Sequence, residues 1–111
     1  MAKHATLDPI FQALADPTRR AVLQRLGSGP ASVSDLGAPF DMGLPAFLKH
    51  ITVLETAGLI ETEKTGRVRT CALVPDRLAA AESWFQDQRA LWKTRYDQLE
   101  GLLDTLKGPT E

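Results

Sequence analysis

Residues 32–69 decide the fold of this chain, and they read SVSDLGAPFDMGLPAFLKHITVLETAGLIETEKTGRVR. In order, the pattern predicts a short helix, a tight turn, a second helix and a basic hairpin. Two helices joined by so short a turn form a helix-turn-helix unit, whose second helix can enter the major groove of DNA. A hairpin that follows directly can act as a wing that touches phosphate.

The helix-turn-helix unit is predicted over residues 32–58. Ser32, followed three positions later by Asp35, resembles a capping box and opens the third helix of the chain. The fourth helix is predicted over residues 44–57, because Gly58 stands where a helix commonly ends. This fourth helix is the candidate recognition helix.

The wing is predicted over residues 59–74. Two strands, residues 59–64 and 67–74, join at Thr65-Gly66, which is a hairpin signal. Its basic candidates for phosphate contact are Lys64, Arg67 and Arg69. The alternative is a solvated hairpin that binds nothing, since Glu61 and Glu63 nearly balance the charge locally.

Asp-Pro pairs mark two further helices upstream of this region. Asp can cap a helix whose first residue is Pro, so residues 9–15 and 17–26 are predicted as the first two helices. Arg19 and Arg20 follow the second pair, and ion pairing near the helix start is their simplest role.

One long helix is predicted downstream, over residues 75–106. Its apolar positions include Phe85, Trp92, Leu99 and Leu106, which recur at intervals of seven. The predicted fold class is therefore mainly α with a small β-hairpin. It is a winged helix-turn-helix with five helices, forming one domain over residues 1–111 with a tail at 108–111.

The two faces of the fourth helix differ in character. With 100° between successive residues, Phe47, Ile51 and Leu54 fall on one line, which we assign to the core. The opposite face is small or apolar and carries a single Lys49, so it can approach base edges closely. Under the alternative interpretation Leu48 packs against a neighbouring helix, and the chain is only a small helical domain.

The composition is that of an ordinary globular protein, with 111 residues, 43% apolar and 24% charged. A net charge of −1 argues mildly against a nucleic-acid binder held by bulk charge. No apolar run is long enough for a membrane span, and the N-terminus lacks the pattern of a secretory signal. One cysteine excludes an internal disulfide, so a cytoplasmic location is expected.

Catalysis and metal binding have little support in the residues. Neither a phosphate-binding glycine loop nor a catalytic triad or carboxylate pair stands out, so we expect no enzyme and no cofactor. Cys71, His4 and His50 are widely separated, so a metal site is not expected. Cys71 is interpreted as a small buried hydrophobe, with a reactive thiol as the alternative.

The chain resembles the ArsR-type (ArsR/SmtB) family of bacterial winged-helix repressors. The resemblance rests on four segments, which are ALADPTRR at 13–20, SDL at 34–36, LPA at 44–46 and KHITVLETAGL at 49–59. It implies a homodimer formed by the first and last helices, residues 7–27 and 75–106. It also implies a double-stranded DNA operator with an inverted repeat, and release by an effector, for which a small molecule is a candidate.

This chain departs from the family pattern at three places. Gly43 stands where the family usually has a capping Ser, and Leu48 stands where many members have Ser. The cysteine box of the metal-sensing members is absent, which places the chain in a subgroup without it. His50 is a DNA contact by resemblance, with a hydrogen-bonded structural role as an equal alternative.

Two sets of candidate residues follow from these patterns and from the resemblance. The DNA-binding candidates are Gly43, Pro45, Ala46, Leu48, Lys49, His50, Thr52, Lys64, Arg67 and Arg69. The dimer-interface candidates are Phe11, Trp84, Phe85, Trp92, Leu99, Leu102 and Leu106. Two other functions stay open, a redox-responsive repressor that uses Cys71 and a protein-interaction module that has lost operator binding.

Overall fold

The structure, a computed structural model, describes residues 2–107, with side chains from Leu7 onward. Its elements are α1 (Ala2–Leu14), α2 (Pro17–Leu26), β1 (Ala31–Ser32), α3 (Val33–Gly37), α4 (Leu44–Thr56), β2 (Ile60–Thr65), β3 (Val68–Leu73) and α5 (Pro75–Lys107). The prediction of a winged helix-turn-helix with five helices is confirmed. The predicted tail, residues 108–111, lies outside the described residues.

The chain divides into two compact units, residues 1–81 and residues 82–111. The first unit holds α1 to α4, the sheet and the start of α5. Within the described residues, the second unit consists of the remainder of α5.

Helix α1 begins earlier than the Asp8-Pro9 pair predicts, and Pro9 lies inside it. A proline within a helix removes a backbone donor and costs about 3 kcal/mol. Leu7, Ile10 and Ala13 are buried on one face of the helix. Burial of a leucine side chain stabilises by about 1.5–3 kcal/mol, so the packing of Leu7 offsets much of the proline penalty. Tertiary packing therefore extends α1 past a residue that locally signals a start.

The buried face of α4 consists of Phe47, Ile51 and Leu54, as predicted. These side chains are at most 2% exposed. Val22 and Leu26 of α2 are buried in the same unit. The core thus holds the fourth helix by one face and leaves the other face to solvent.

The end of α4 is fixed by backbone hydrogen bonds that need a glycine. Leu59 N–H donates to the Leu54 carbonyl and Gly58 N–H donates to the Glu55 carbonyl, which is the pattern of a Schellman motif. Gly58 has φ +79°, a value that residues with a side chain rarely adopt. Leu54 and Leu59 are both buried and supply the hydrophobic contact that accompanies this motif. The chain therefore leaves α4 at a defined angle and enters β2.

The sheet has three strands in the order β1-β3-β2, all antiparallel. The sequence predicted only a hairpin, and β1 was missed because two residues carry no periodicity. The hairpin turn also lies one position later than predicted, at Gly66-Arg67, between the paired residues Thr65 and Val68. Gly66 has φ +63°, which the first central residue of a tight hairpin turn requires.

Candidate nucleic-acid interface

Helix α4 starts at Gly43, which has no side chain to cap it. Gly43 has φ −68° and ψ 157°, an extended conformation that any residue can adopt. The Gly43 carbonyl accepts the N–H of Phe47, whereas no side-chain hydrogen bond caps the helix. The start of α4 therefore lacks the side-chain cap that a serine would supply.

Replacing Gly43 with serine is expected to stabilise the folded chain by roughly 0.5–1 kcal/mol, because the hydroxyl can cap α4 and the unfolded chain loses freedom. A Cβ at this position meets its nearest atom, Pro45 Cδ, at 3.7 Å, which is ordinary contact. Urea unfolding followed by circular dichroism measures the change. The control is Gly43→Ala, which offers no hydroxyl, and equal stability of the two variants would contradict the capping explanation.

The outward face of α4 is accessible over its first half. Pro45, Ala46, Lys49 and Thr52 are exposed, and Leu48 keeps 36% of its surface exposed. The exposure of Leu48 argues against its packing under a neighbouring helix. Sequence reasoning did not single out Leu44, which is 59% exposed. Its position as the first helical residue, before the first buried turn, was the available signal.

His50 lies on the flank of α4 and contacts the start of α2. Its Nδ1 lies 3.0 Å from Arg19 Nη1 and 3.7 Å from Asp16 Oδ2. The imidazole is 22% exposed. The hydrogen-bonded interpretation of His50 is therefore confirmed, and a contact with DNA stays a prediction.

Arg19 and Arg20 bind the end of α1, a role that the sequence did not predict, and Arg19 also attracts the Asp16 carboxylate, in line with the expected ion pairing near the helix start. Arg19 donates through Nε to the Ala13 carbonyl at 2.8 Å and through Nη2 to the Gln12 carbonyl at 3.0 Å. Arg20 Nη1 donates to the Leu14 carbonyl at 2.8 Å. The last carbonyls of a helix lack partners within the helix, so these guanidinium groups satisfy them.

Asp16 caps α2, as its position before Pro17 predicts. Its Oδ2 accepts the backbone N–H of Arg19 at 3.1 Å. Partial burial raises the pKa of Asp16, but the Arg19 N–H, the charge of His50 when protonated and the Arg19 guanidinium outweigh it and hold the pKa below its ordinary value. The carboxylate is therefore ionised at neutral pH, in the form that caps the helix.

The two faces of the wing carry different charges. Lys64 pairs with Arg69 across the strands, so the two cations stand opposite each other. Side chains alternate along a strand, so Glu61 and Glu63 belong to the other face. The local charge balance expected from the sequence is therefore divided between two faces. The period-two alternation was already available in the sequence and could have revealed this.

The cationic face of the wing is the face that touches α4. Thr62 has the same strand parity as Lys64, and its hydroxyl donates to Glu55 Oε2 of α4 at 2.9 Å. Like charges placed opposite each other destabilise a sheet unless an anion lies between them. Lys64 and Arg69 thus place two cations on the side of the wing that faces the fourth helix, and their contact with phosphate stays a prediction.

Cys71 is buried at 0% exposure in β3. Burial raises the pKa of its thiol, Glu55 raises it further, and Arg69 offsets only part of this. A reactive thiol needs a lowered pKa and access to solvent. The structure therefore agrees with Cys71 as a packing residue and argues against a redox sensor.

The second unit exposes a broad apolar surface along α5, which we call the α5 stripe. Its members Phe85, Trp92, Leu99, Leu102 and Leu106 are between 49% and 72% exposed. Trp84 meets Phe85 edge to face, with ring centroids 5.3 Å apart. In the first unit, Phe11 of α1 is half-buried. These are the residues predicted for a dimer interface.

The residues that the structure describes hold no group of three or more His, Cys, Asp and Glu side chains arranged for a metal ion. Within residues 2–107 no helix has both the length and the apolar character needed to cross a bilayer.

Similarity to known sequences extends over much of the chain. A family model described as a helix-turn-helix domain matches residues 14–63. The HTH-type transcriptional regulator Rv2034 of Mycobacterium tuberculosis is 40% identical over 80 residues, which cover 72% of this chain and 75% of that protein. The transcriptional repressor SdpR of Bacillus subtilis is 30% identical over 61 residues, covering 55% of this chain and 68% of that protein.

Solved structures resemble this fold closely. A crystal structure of an ArsR family transcriptional regulator has a TM-score of 0.78 and 58% identity, covering 80% of this chain and 92% of that one. The homodimeric winged helix-turn-helix DNA-binding domain of Mb0332 from Mycobacterium bovis has a TM-score of 0.64 and 21% identity. The match covers 81% of this chain and 85% of that one. At 21% identity, the likeness to the Mb0332 domain shows only that the two proteins share a fold.

Proposed function

The chain belongs to the ArsR family of helix-turn-helix transcriptional regulators, and we propose that it is a homodimeric repressor of an inverted-repeat operator. The regulators of this family are not enzymes. Occupation of promoter DNA by the dimer would block transcription. An effector that changes the spacing of the two recognition helices would release it.

One observation carries the proposal, namely that Thr62 on the cationic face of the wing donates to Glu55 of α4, so this face of the wing lies next to the helix whose outward face is exposed. The first half of α4 has no acidic residue, and Glu55 is the first one along the helix. Small and apolar residues such as Ala46 and Leu48 suit contact with thymine methyl groups, and Lys49 suits a guanine edge. Lys64 and Arg69 suit the adjacent phosphates.

A two-fold dimer would give this surface its reach. Two copies that associate through the α5 stripe would bury apolar surface by an isologous contact and present two copies of α4. Recognition helices in such dimers bind half-sites about one helical turn of DNA apart. The homodimeric state of the Mb0332 domain and the repressor role of SdpR support the same assembly and direction of control.

Selection from a pool of random duplexes tests the proposal. An enriched sequence with two-fold symmetry is the expected result for a dimeric reader of the major groove. If no sequence is enriched even at low salt, the proposal is wrong and the alternative of a protein-interaction module is favoured. The exposed apolar side chains Leu44 and Leu48 would then be part of a protein-binding surface. The selected duplex is the operator, and it is the probe with which the variants are tested.

Lys49→Ala and Arg67→Ala are expected to weaken DNA binding in different ways. Loss of a base contact costs about 1–3 kcal/mol, so Lys49→Ala lowers operator affinity roughly 5- to 150-fold with less effect on a scrambled duplex. Arg67→Ala weakens binding to both duplexes and lowers the salt slope by about one for each protomer, because a phosphate contact is lost. Fluorescence anisotropy titrations at several salt concentrations measure both.

Glu61→Gln is the control for the wing, since it changes charge on the opposite strand face. It is expected to leave the salt slope nearly unchanged. Unaltered operator affinity of Lys49→Ala would show that the assigned face of α4 does not enter the groove.

A further inference from the structure

Arg19 joins three elements of the first unit through one guanidinium group. Two of its nitrogens donate to carbonyls at the end of α1, and the third, Nη1, lies 3.0 Å from His50 Nδ1 on α4. The arginine itself belongs to α2, whose cap Asp16 lies 3.7 Å from the same Nδ1. The end of the first helix and the flank of the recognition helix are thus linked by a single planar side chain.

The contact defines the protonation of His50. A guanidinium group has only donors, so the nitrogen that it meets must accept. Nδ1 of His50 therefore carries no proton, and the neutral ring carries its proton on Nε2. A protonated imidazole has no acceptor and could not keep this bond.

We infer that Arg19 is a positioning residue for DNA binding, because it holds His50 and with it the recognition helix in place against the end of α1. This inference rests on the proposed function and adds to it a residue outside the DNA-facing surface. Arg19 acts through His50 and has no contact with DNA of its own. The Arg19 guanidinium contacts both α1 and α4 and so fixes the distance between them. By the family resemblance, α1 is one of the two helices that form the dimer interface.

A dependence of DNA binding on pH follows from this geometry. Within the described part of the chain, the charged groups in contact with the imidazole are Asp16 and Arg19, and α1 adds only backbone carbonyls through Arg19. Protonation of His50 would replace the bond with Arg19 by repulsion and favour Asp16 instead. Operator affinity should therefore fall on acidification, because a protonated imidazole cannot accept the bond from Arg19.

Arg19→Lys and Arg20→Lys form a matched pair for the test. Both keep the charge and lose guanidinium hydrogen bonds to carbonyls at the end of α1, two for Arg19 and one for Arg20, but only Arg19 reaches α4. Arg19→Lys is expected to weaken operator binding about tenfold, which corresponds to one hydrogen bond to a charged group. Arg20→Lys is expected to change it less than about twofold. Equal losses in the two variants would overturn the inference.

Variants of His50 test the same link from the other side. His50→Gln offers an acceptor that does not titrate, so its operator affinity, relative to its own value at pH 8, should show no loss at pH 6 beyond that of a scrambled duplex. His50→Leu removes the acceptor without altering the cap of α1 and should match Arg19→Lys, even if Arg19→Lys itself folds poorly. A wild-type affinity that rises on acidification, with no rise in His50→Gln, would mean that His50 contacts phosphate directly and would overturn the inference.

An NMR experiment on the DNA-free protein separates this inference from the proposed function. A long-range ¹H–¹⁵N spectrum of the histidine rings should show His50 at pH 8 with the proton on Nε2, and a mixture of both neutral forms in Arg19→Lys. A proton on Nδ1 in the wild type would overturn the inference whatever the DNA results are. A wild type that binds no duplex would instead remove the proposed function, and the positioning role in DNA binding with it.

Discussion

Leu99→Glu is expected to convert the dimer to a monomer and to weaken operator binding by about 100-fold or more. Leu99 lies in the middle of the α5 stripe and is 49% exposed in the single chain. In a two-fold interface each substitution occurs twice, so the loss of two buried leucines and the burial of two carboxylates add together. A buried charge without a partner costs several kcal/mol, which is enough to separate subunits.

In the proposed dimer, DNA binding depends on this association because each subunit would supply one recognition helix. A single helix-turn-helix contacts one half-site, and the affinity of the dimer derives from two half-sites held at a fixed spacing. A monomer therefore keeps the salt-dependent attraction to any duplex and loses the preference for the operator. Sedimentation velocity and anisotropy titrations of the same sample measure mass and affinity together.

Ala90→Glu is the matched control, because it places the same side chain on the opposite side of α5. Ala90 is exposed and lies about 180° around the helix from Leu99 at 100° per residue. Both substitutions keep a good helix former, so the helix itself should remain. A Leu99→Glu chain that sediments as a dimer and binds the operator normally would show that the α5 stripe is not the dimer contact.

The elements predicted correctly from the sequence are those fixed by local chemistry. Asp16 caps α2 and Ser32 caps α3 through hydrogen bonds to backbone groups three residues away. Gly58 ends α4 because the Schellman motif requires its positive φ. Each of these signals depends on residues close in sequence, so it is readable before any tertiary structure is known. The buried face of α4 is local in the same sense, since its periodicity follows from the helix itself.

The elements that the sequence missed depend on distant partners. Strand β1 has only two residues, and it exists because Ala31 and Ser32 pair with Cys71 and Thr70. The start of α1 was placed at Pro9 because local preference favours it there, whereas the burial of Leu7 extends the helix upstream. Neither the pairing nor the burial has a signature within a few residues.

The residues of the candidate site also fall into two groups, those predictable from local sequence and those that depend on distant partners. Lys49 and the outward face of α4 could be predicted from helical periodicity, and the structure places them in solvent. The role of Arg19 could not be predicted from the sequence, because its partner His50 lies 31 positions away and its other partners are backbone carbonyls. Ion pairing was the simplest local interpretation of an arginine beside Asp16. A guanidinium group that satisfies a helix end is visible only once the elements are packed.

Phe47→Ala is expected to destabilise the fold by about 3–5 kcal/mol, a large part of the 5–15 kcal/mol typical of small domains. Phe47 is 1% exposed and is among the largest fully buried side chains of the described core. Its ring stacks on Phe40, with centroids 5.7 Å apart. Removal of the ring leaves a cavity between α3 and α4 that the surrounding backbone can fill only in part.

The close approach of α3 explains why the cavity cannot collapse. A Cβ added to Gly37 would lie 3.0 Å from the Phe47 ring, so the α3 backbone already rests against it. Gly37→Ala is accordingly expected to destabilise by about 1–3 kcal/mol through overpacking. In the double variant Gly37→Ala/Phe47→Ala the added methyl group occupies part of the cavity, so the two losses should not add.

Leu48→Ala is the control, because it truncates the adjacent residue on the exposed face. It should change stability by less than about 1 kcal/mol and still weaken operator binding if Leu48 meets the DNA. Urea unfolding by circular dichroism, at one protein concentration for all variants, gives the comparison, since the stability of a dimer depends on concentration. A Phe47→Ala chain that unfolds at the wild-type midpoint would show that α4 is held by contacts other than this ring. The buried Phe47 ring would then contribute less to the position of the recognition helix α4 than its burial indicates.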